Sequence, residues 1–124
     1  MSYNKDVFTI EQYQTAEGKD VLAAWFASLR DRRAAARITA RIGRLAQGLF
    51  GDCKPLRDGV CELRIDEGPG YRVYYAQSGR RTILLLCGGD KPSQAKDIQR
   101  AVDYWHDWQE RTRHEENPRK PPTR

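Results

Sequence analysis

Three short β-rich runs joined by glycine-containing turns constrain the fold of this chain more than any other stretch. The runs are Cys61–Asp66, Tyr71–Gln77 and Thr82–Cys87, and the connections between them are Glu67–Gly70 and Ser78–Arg81. Connections this short favour hairpins between consecutive strands. The stretch therefore predicts a three-stranded antiparallel meander.

The side chains of these runs predict how the two faces of the sheet differ. In the first run apolar residues alternate with charged ones, and in the second Tyr71, Val73 and Tyr75 alternate with Arg72, Tyr74 and Ala76. One face is therefore apolar, and the other carries Arg64 and Arg72. The third run is apolar throughout Ile83–Cys87, as in a central strand that is covered on both faces. It ends at a Gly-Gly-Asp turn, which places Lys91 beside the two arginines. Three cations are thus expected on one small surface, which would favour a phosphate ligand.

The segments around the meander predict one further strand and three helices. They are a strand within Asp6–Gln14, a helix from Lys19, a helix from the N-cap Asp31 to about Gln47, a loop over Leu49–Gly59 and a last helix from Pro92 and Ser93. The first strand pairs most simply beside the meander. This order predicts an α+β domain, in which a two-helix hairpin and a C-terminal helix pack on one face of a single small sheet.

The chain length and the composition of the C-terminus predict one domain and a tail. A chain of 124 residues suffices for one modest core, which we expect within residues 1–108. Residues 109–124 are rich in charge and proline and contain no large apolar residue. Such a composition predicts a flexible segment outside the fold.

The overall composition narrows the class of protein. Charged residues make up 31% of the chain, and neither a membrane span nor the apolar part of a secretory signal is evident, so a cytoplasmic protein is expected. Cys53, Cys61 and Cys87 include no C-x-x-C pair, so neither a disulfide framework nor a metal site is predicted. We expect Cys61 and Cys87 to be small buried residues. A net charge of +5 favours a polyanionic or acidic partner.

Four arginines form a stripe on the second predicted helix, about 100° around the axis from its apolar stripe. They are Arg33, Arg37, Arg41 and Arg44. One interpretation is a surface that tracks the phosphates of RNA, and Lys54 would extend it from the loop near Arg64. The other is a solvated face whose long stems cover apolar surface.

Four blocks of sequence resemble the RelE/ParE toxin superfamily, and within it the HigB-like addiction-module killer proteins. They are Asp31–Ile42, Glu62–Asp66, Gly68–Tyr74 and Leu84–Lys91, in an arrangement that covers the chain from about Val7 to about Val102. The resemblance implies a small toxin that a cognate antitoxin neutralises. A HigA-like antitoxin would carry a helix-turn-helix DNA-binding part.

The resemblance leaves three functions open. In the RelE branch the toxin enters the ribosomal A site and cuts mRNA without a metal or other cofactor, leaving a cyclic phosphate and a free 5′-hydroxyl. In the ParE branch the same fold inhibits DNA gyrase. A third alternative is an inactive homologue that only binds its antitoxin. The shared fold does not choose between these functions.

The RelE branch also implies roles for individual residues. Arg72 matches the arginine that holds the scissile phosphate, with Arg64 as a second clamp, and Lys91 matches a basic residue that serves the leaving group. Tyr74 has the parity to stack on an RNA base or orient the ribose, although packing within the sheet is an alternative. Asp90 would orient Lys91 or serve the turn.

The sequence departs from the RelE pattern where that branch places a tyrosine, because residues 94–97 contain none. His106 and His114, the only histidines, are expected to lie far from the cationic surface. Lys54 and Lys91 are therefore the candidates for the general base. Arg64 also has an alternative role, as the partner of Glu62 or Asp66 across the hairpin.

Overall fold

The computed structural model of the protein describes residues 7–116, which form one mixed five-stranded sheet and three helices. The strands are β1 (Thr9–Gln12), β2 (Cys53–Pro55), β3 (Val60–Ile65), β4 (Tyr71–Ser78) and β5 (Thr82–Asp90), in the spatial order β1-β5-β4-β3-β2. The helices are α1 (Val21–Ser28), α2 (Arg32–Ala46) and α3 (Gln94–Glu116). These elements confirm the predicted α+β fold. Within residues 7–116, no helix is long and apolar enough to cross a membrane.

The predicted meander is present, with β3–β4 and β4–β5 paired antiparallel. Gly70 in the first turn has a φ angle of 83°, which glycine adopts at low cost. A β-bulge opposite Tyr74 and Tyr75 lets the successive residues Leu86 and Cys87 enter the same core. The bulge is one reason why β5 is apolar without alternation.

The sheet has two short edge strands, of which only one is expected from the sequence. β1 pairs in parallel with β5, which confirms that the first strand lies beside the meander. β2 pairs antiparallel with β3, so the prediction of a loop over Leu49–Gly59 is wrong for Cys53–Pro55. Three residues are too few to show an alternating pattern, and proline disfavours a strand except at a sheet edge.

Helices cover both faces of the sheet, which corrects the prediction that all of them pack on one face. α1 and α2 pack on one face, and α3 packs on the other. The first core includes Leu22, Ile38, Leu45, Leu63 and Val73, and the second includes Tyr74, Leu84, Leu86, Val102 and Trp105. α3 therefore covers part of the face that the charged residues of β3 and β4 predict to be polar.

α2 begins and ends as the sequence predicts. The carboxylate of Asp31 accepts a hydrogen bond from the backbone N–H of Ala34 at 3.0 Å, as an N-cap does. Gly48 follows the helix with a φ angle of 79°, a conformation that ends many helices. Ala34, Ile38 and Leu45 are buried, which confirms the apolar stripe and places the arginines near the solvent boundary.

α3 extends past residue 108, the predicted end of the domain, and continues to Glu116. Contacts with the segment after β1 support this extension. The Tyr13 hydroxyl donates to Asp107 at 2.6 Å, and the Arg111 guanidinium lies 2.8 Å from the same carboxylate and over the Tyr13 ring. Residues 109–116 are thus helical, whereas the predicted tail over 117–124 lies outside the described residues.

The three cysteines differ in burial, and this difference predicts their reactivity. Cys87 is fully buried, as expected, and burial raises the pKa of its thiol to about 12. Cys53 and Cys61 are only half-buried, which corrects the expectation for Cys61. A thiol reacts as an accessible thiolate, so we expect a disulfide reagent at pH 8 to modify both Cys53 and Cys61 in the folded protein. Cys61 should react more slowly than Cys53, because burial raises the pKa of its thiol. Cys87 should react about 10³-fold more slowly, because it requires unfolding.

Labelling followed by mass spectrometry of peptides checks this prediction. The same reaction in denaturant is the control, where all three thiols should react at similar rates. Rapid native labelling of Cys87 would contradict the packing of α3 on β5.

Candidate functional site

A cleft of about 250 Å³ lies where β3 and β4 meet at the end of the sheet. Arg64 and Arg72 are directly opposite each other in the register of these two strands, so their side chains leave the same face. The cleft is lined by Asp52, Arg64, Ile65, Asp66, Gly70 and Arg72. The structure therefore brings together the two arginines that the alternation of the strands predicts to be neighbours.

Lys91 lies at the rim of this cleft. It directly follows Asp90, the last residue of β5, which pairs with Tyr71. A Cβ atom built on Gly70 would be 3.6 Å from the Cβ of Lys91, so the lysine stem starts beside a residue that lines the cleft. Lys91 is exposed, and no carboxylate of the described residues lies within ion-pair distance of it.

A buried carboxylate, that of Glu62, forms an ion pair with Arg72. The Arg72 Nε atom lies 3.4 Å from Oε2 of Glu62, an ion pair whose alignment is too poor for a hydrogen bond. Its NH1 group donates to the carbonyl oxygen of Gly70 at 2.5 Å. The Arg72 and Glu62 side chains are only 11% and 1% exposed. Arg72 thus reaches the cleft in a fixed orientation.

Glu62 is also linked to the start of α3, because its Oε2 atom accepts a hydrogen bond from the Gln94 amide at 2.7 Å. The sequence predicts Glu62 only as an alternative partner of Arg64, and its role under Arg72 is missed. Strand alternation could have indicated this role, because it places Glu62 on the same sheet face as Arg64 and Arg72. Its burial depends on α3, which a strand pattern does not reveal.

Arg64 is paired with a carboxylate that neither alternative anticipates. Its Nε and NH2 groups donate to Oδ1 of Asp52 at 3.1 and 2.8 Å, whereas the predicted cross-hairpin partners are Glu62 and Asp66. The Arg64 and Asp52 side chains are 41% and 54% exposed. The Arg64 backbone N–H also donates to the Asp52 carbonyl at 2.9 Å, which joins β3 to the residue before β2.

Tyr74 is not available to an RNA base, which corrects its predicted stacking role. It shares a sheet face with Arg72 as predicted, but α3 covers that part of the face and leaves the tyrosine fully buried. Within the described residues its hydroxyl has no hydrogen-bond partner. Burial raises the pKa of Tyr74, and the nearby Glu62 and Asp97 carboxylates raise it further. The alternative of packing within the sheet is therefore the correct one.

Gly88, Gly89 and Asp90 form the end of β5, which corrects the prediction that the strand ends at Cys87 and that these residues form a turn. This end of the strand positions α3. A Cβ atom at Gly89, opposite Arg72 in the sheet, would overlap the carboxylate of Asp97. Asp97 is buried, and its carboxylate accepts hydrogen bonds from Ser93 and from Arg100. Asp90 accepts a hydrogen bond from the Ser93 backbone N–H at 3.2 Å, so it serves the turn.

The arginine stripe of α2 divides into two kinds of residue. Arg33 and Arg37 are exposed, and each lies 3.5 Å from the Glu67 carboxylate. Arg41 instead donates to the backbone carbonyl of Arg64 at 2.7 Å and to the carbonyl of Asp52 at 3.2 Å. It therefore fastens α2 to the wall of the cleft, which corrects its predicted place in a phosphate-tracking stripe.

Arg44 and Lys54 are both exposed, and their predicted contact with RNA stays a prediction. Arg44 lies in the last turn of α2, where the helix dipole stabilises a cation. Lys54 pairs with Glu62 in the register of β2 and β3, and β3 lies between Lys54 and the strand that carries Arg72. Both residues leave cationic groups at the surface.

The histidines lie away from the cleft, as expected. His106 is on α3 with Nε2 3.9 Å from Asp58, and His114 is 3.5 Å from Glu110 on the same helix. Among residues 7–116, no cluster of three or more His, Cys, Asp and Glu residues could hold a metal ion.

Comparison with known proteins identifies the family. The family described as "Phage derived protein Gp49-like (DUF891)" matches residues 24–104, a range that contains α2, the meander and the cleft. A protein from Haemophilus influenzae that carries the name "Uncharacterized protein" is 54% identical over 78 residues, which cover 63% of this chain and 79% of the relative. The chain belongs to the Gp49-like family of phage-derived proteins, a family of the RelE type that is related to toxin–antitoxin modules.

Proposed function

We propose that this protein is a HigB-like toxin of a type II toxin–antitoxin module and acts as a ribosome-dependent, metal-independent mRNA endonuclease. The observation that carries the proposal is the position of Arg64 and Arg72 side by side in one cleft, with Lys91 at its rim. A guanidinium group binds two phosphate oxygens at once, and a lysine releases a proton more readily than an arginine. Together these groups suit the cleavage of a phosphodiester.

The proposed reaction uses the RNA itself as the nucleophile. The ribose 2′-oxygen bonds to the adjacent phosphorus while the bond from phosphorus to the 5′-oxygen breaks, which gives a cyclic phosphate and a free 5′-hydroxyl. Arg72 and Arg64 stabilise the negative charge of the phosphorane. Lys91 donates a proton to the departing 5′-oxygen, and Lys54, in its neutral amine form, is the candidate base that accepts the 2′-proton.

The proposed partners follow from this assignment. We expect a cognate antitoxin, of the HigA-like type with a helix-turn-helix part, to bind and neutralise the toxin in the cytoplasm. The net charge of +5 favours an acidic antitoxin segment as well as the mRNA and the ribosome. Arg33, Arg37, Arg44 and Lys54 are the exposed cations that we expect to contact RNA.

Growth arrest and mapping of RNA ends after induction test the proposal. We expect the wild type to arrest growth and to produce cuts within translated frames. Lys91→Ala and Arg72→Lys should each reduce cleavage about 100-fold or more, because one removes the acid and the other the planar fork. Arg72→Lys keeps a counter-charge for Glu62, which protects the fold.

The matched control is Lys19→Ala, which removes an exposed lysine from the turn before α1. It should cut RNA like the wild type. Growth arrest without new RNA ends, retained in all variants, would overturn the nuclease function and make gyrase the next target. A folded wild type that binds an antitoxin and leaves growth and RNA unchanged would instead indicate an inactive homologue.

A further inference from the structure

The two arginines of the cleft pair with carboxylates that differ in their exposure to solvent. The Glu62 carboxylate under Arg72 is 1% exposed, whereas the Asp52 carboxylate on Arg64 is 54% exposed. The Nε and NH2 groups of Arg64 both donate to one Asp52 oxygen. Asp52 therefore covers the Nε–NH2 edge of the guanidinium, one of the edges through which an arginine binds a phosphate in bidentate fashion.

The exposure of each pair determines how easily it is exchanged. A solvent-exposed ion pair contributes little to stability, because water screens the charges and both side chains lose freedom. A buried pair does not separate in the same way, since each ion would remain without water or partner. The Asp52–Arg64 pair is therefore exchangeable, and the Glu62–Arg72 pair is fixed.

The backbone allows Asp52 to leave Arg64 without any change of fold. Its carbonyl oxygen accepts hydrogen bonds from the Arg64 backbone N–H at 2.9 Å and from Arg41 at 3.2 Å. These bonds do not involve the Asp52 carboxylate. Rotation of one exposed side chain is thus enough to free the Arg64 guanidinium.

We infer that Asp52 is an internal competitor of the RNA phosphate for Arg64. This inference rests on the proposed function of the same cleft. In the free protein the Asp52 carboxylate is bound to the Arg64 guanidinium. When RNA binds beside Arg72, one of its phosphates replaces this carboxylate. Asp52 thereby lowers the affinity of the toxin for RNA, while Arg72 is ready to bind without exchange.

The variant Asp52→Asn tests the competition because it removes the charge and keeps the size of the side chain. The matched control is Asp58→Asn, which makes the same change of charge in the segment before β3. Asp58 lies outside the cleft lining and has a φ angle of 55°, a conformation that asparagine also accepts. The probe is a short 2′-O-methyl oligoribonucleotide, which lacks the attacking hydroxyl and stays intact.

Titrations followed by NMR of the ¹⁵N-labelled full-length protein measure the dissociation constant of this probe at several salt concentrations. We expect Asp52→Asn to bind about fivefold more tightly than the wild type near 0.1 M salt, since a competing unit charge at contact distance is removed. The plot of log affinity against log salt should steepen, because the repulsion between Asp52 and the RNA that the variant removes is strongest at low salt. Asp58→Asn should change the affinity by less than about twofold, because salt screens distant charges.

A gain of affinity separates competition from a supporting role, because structural damage does not tighten binding. Equal or weaker binding by Asp52→Asn, with the wild type still cutting RNA in cells, would overturn the inference and leave the nuclease function standing. A wild type that neither binds the probe nor cuts RNA would overturn the proposed function, and the inference with it.

Discussion

Replacement of Gly89 by alanine is expected to lower the free energy of unfolding by about 3 kcal/mol or more. The new Cβ atom would overlap the Asp97 carboxylate and lie 3.1 Å from Oγ of Ser93. Asp97 is buried, so a displaced carboxylate would lose its hydrogen bonds from Ser93 and Arg100 without gaining water. The start of α3 would have to move away from β5, or the carboxylate would remain unsatisfied.

Urea unfolding followed by circular dichroism measures this effect, and Gly43→Ala is the matched control. Gly43 lies inside α2, where an added Cβ meets no atom within 4 Å. Alanine there should stabilise the protein by about 0.5–1 kcal/mol, because it lowers the entropy of the unfolded chain in a helical position. A Gly89→Ala variant within about 1 kcal/mol of the wild type would show that α3 adapts without cost, contrary to the tight contact in the structure.

The meander and the α2 boundaries were predictable from local signals. Short turns with glycine fix the pairing of β3, β4 and β5, and strand alternation then places Arg64 opposite Arg72. Asp31 and Gly48 mark the ends of α2 through hydrogen bonding and a positive φ angle. Each of these signals depends on residues that are close in sequence.

The position of α3 was not predictable in the same way, and two errors follow from it. A sequence pattern shows which face of a strand is charged, but it does not show how far a distant helix extends over that face. α3 buries Tyr74 and Glu62, which the alternation alone places on a polar, accessible surface. The predicted stacking role of Tyr74 fails for this reason.

The partners of the site arginines also depend on contacts distant in sequence. Asp52 reaches Arg64 from the unpredicted strand pair β2–β3, and Arg41 reaches the Arg64 carbonyl from α2. Opposite charges on one sheet face favour pairing, yet several acidic residues satisfied this condition in the sequence. The site residues were therefore predictable as a group, and their individual partners were not.

Replacement of Arg72 by alanine is expected to lower the free energy of unfolding by about 3–5 kcal/mol, because Glu62 would remain buried without a counter-charge. The Gln94 amide would still donate to Glu62, but a neutral hydrogen bond does not balance the charge. The double variant Arg72→Ala, Glu62→Gln should recover about 1.5–3 kcal/mol of this loss, since the remaining amide is neutral. Urea unfolding of both single variants and the double variant gives the coupling energy.

The exposed pair provides the control for this cycle. Arg64→Ala should cost less than about 1 kcal/mol, because Asp52 keeps its access to water. Equal losses of stability for Arg64→Ala and Arg72→Ala would contradict the difference in burial between the two pairs.

If the difference in stability is found, loss of toxicity in Arg72→Ala alone would not distinguish failed chemistry from a weakened fold. Arg72→Lys retains the charge beside Glu62, so loss of RNA cleavage in that variant would report on the guanidinium group itself.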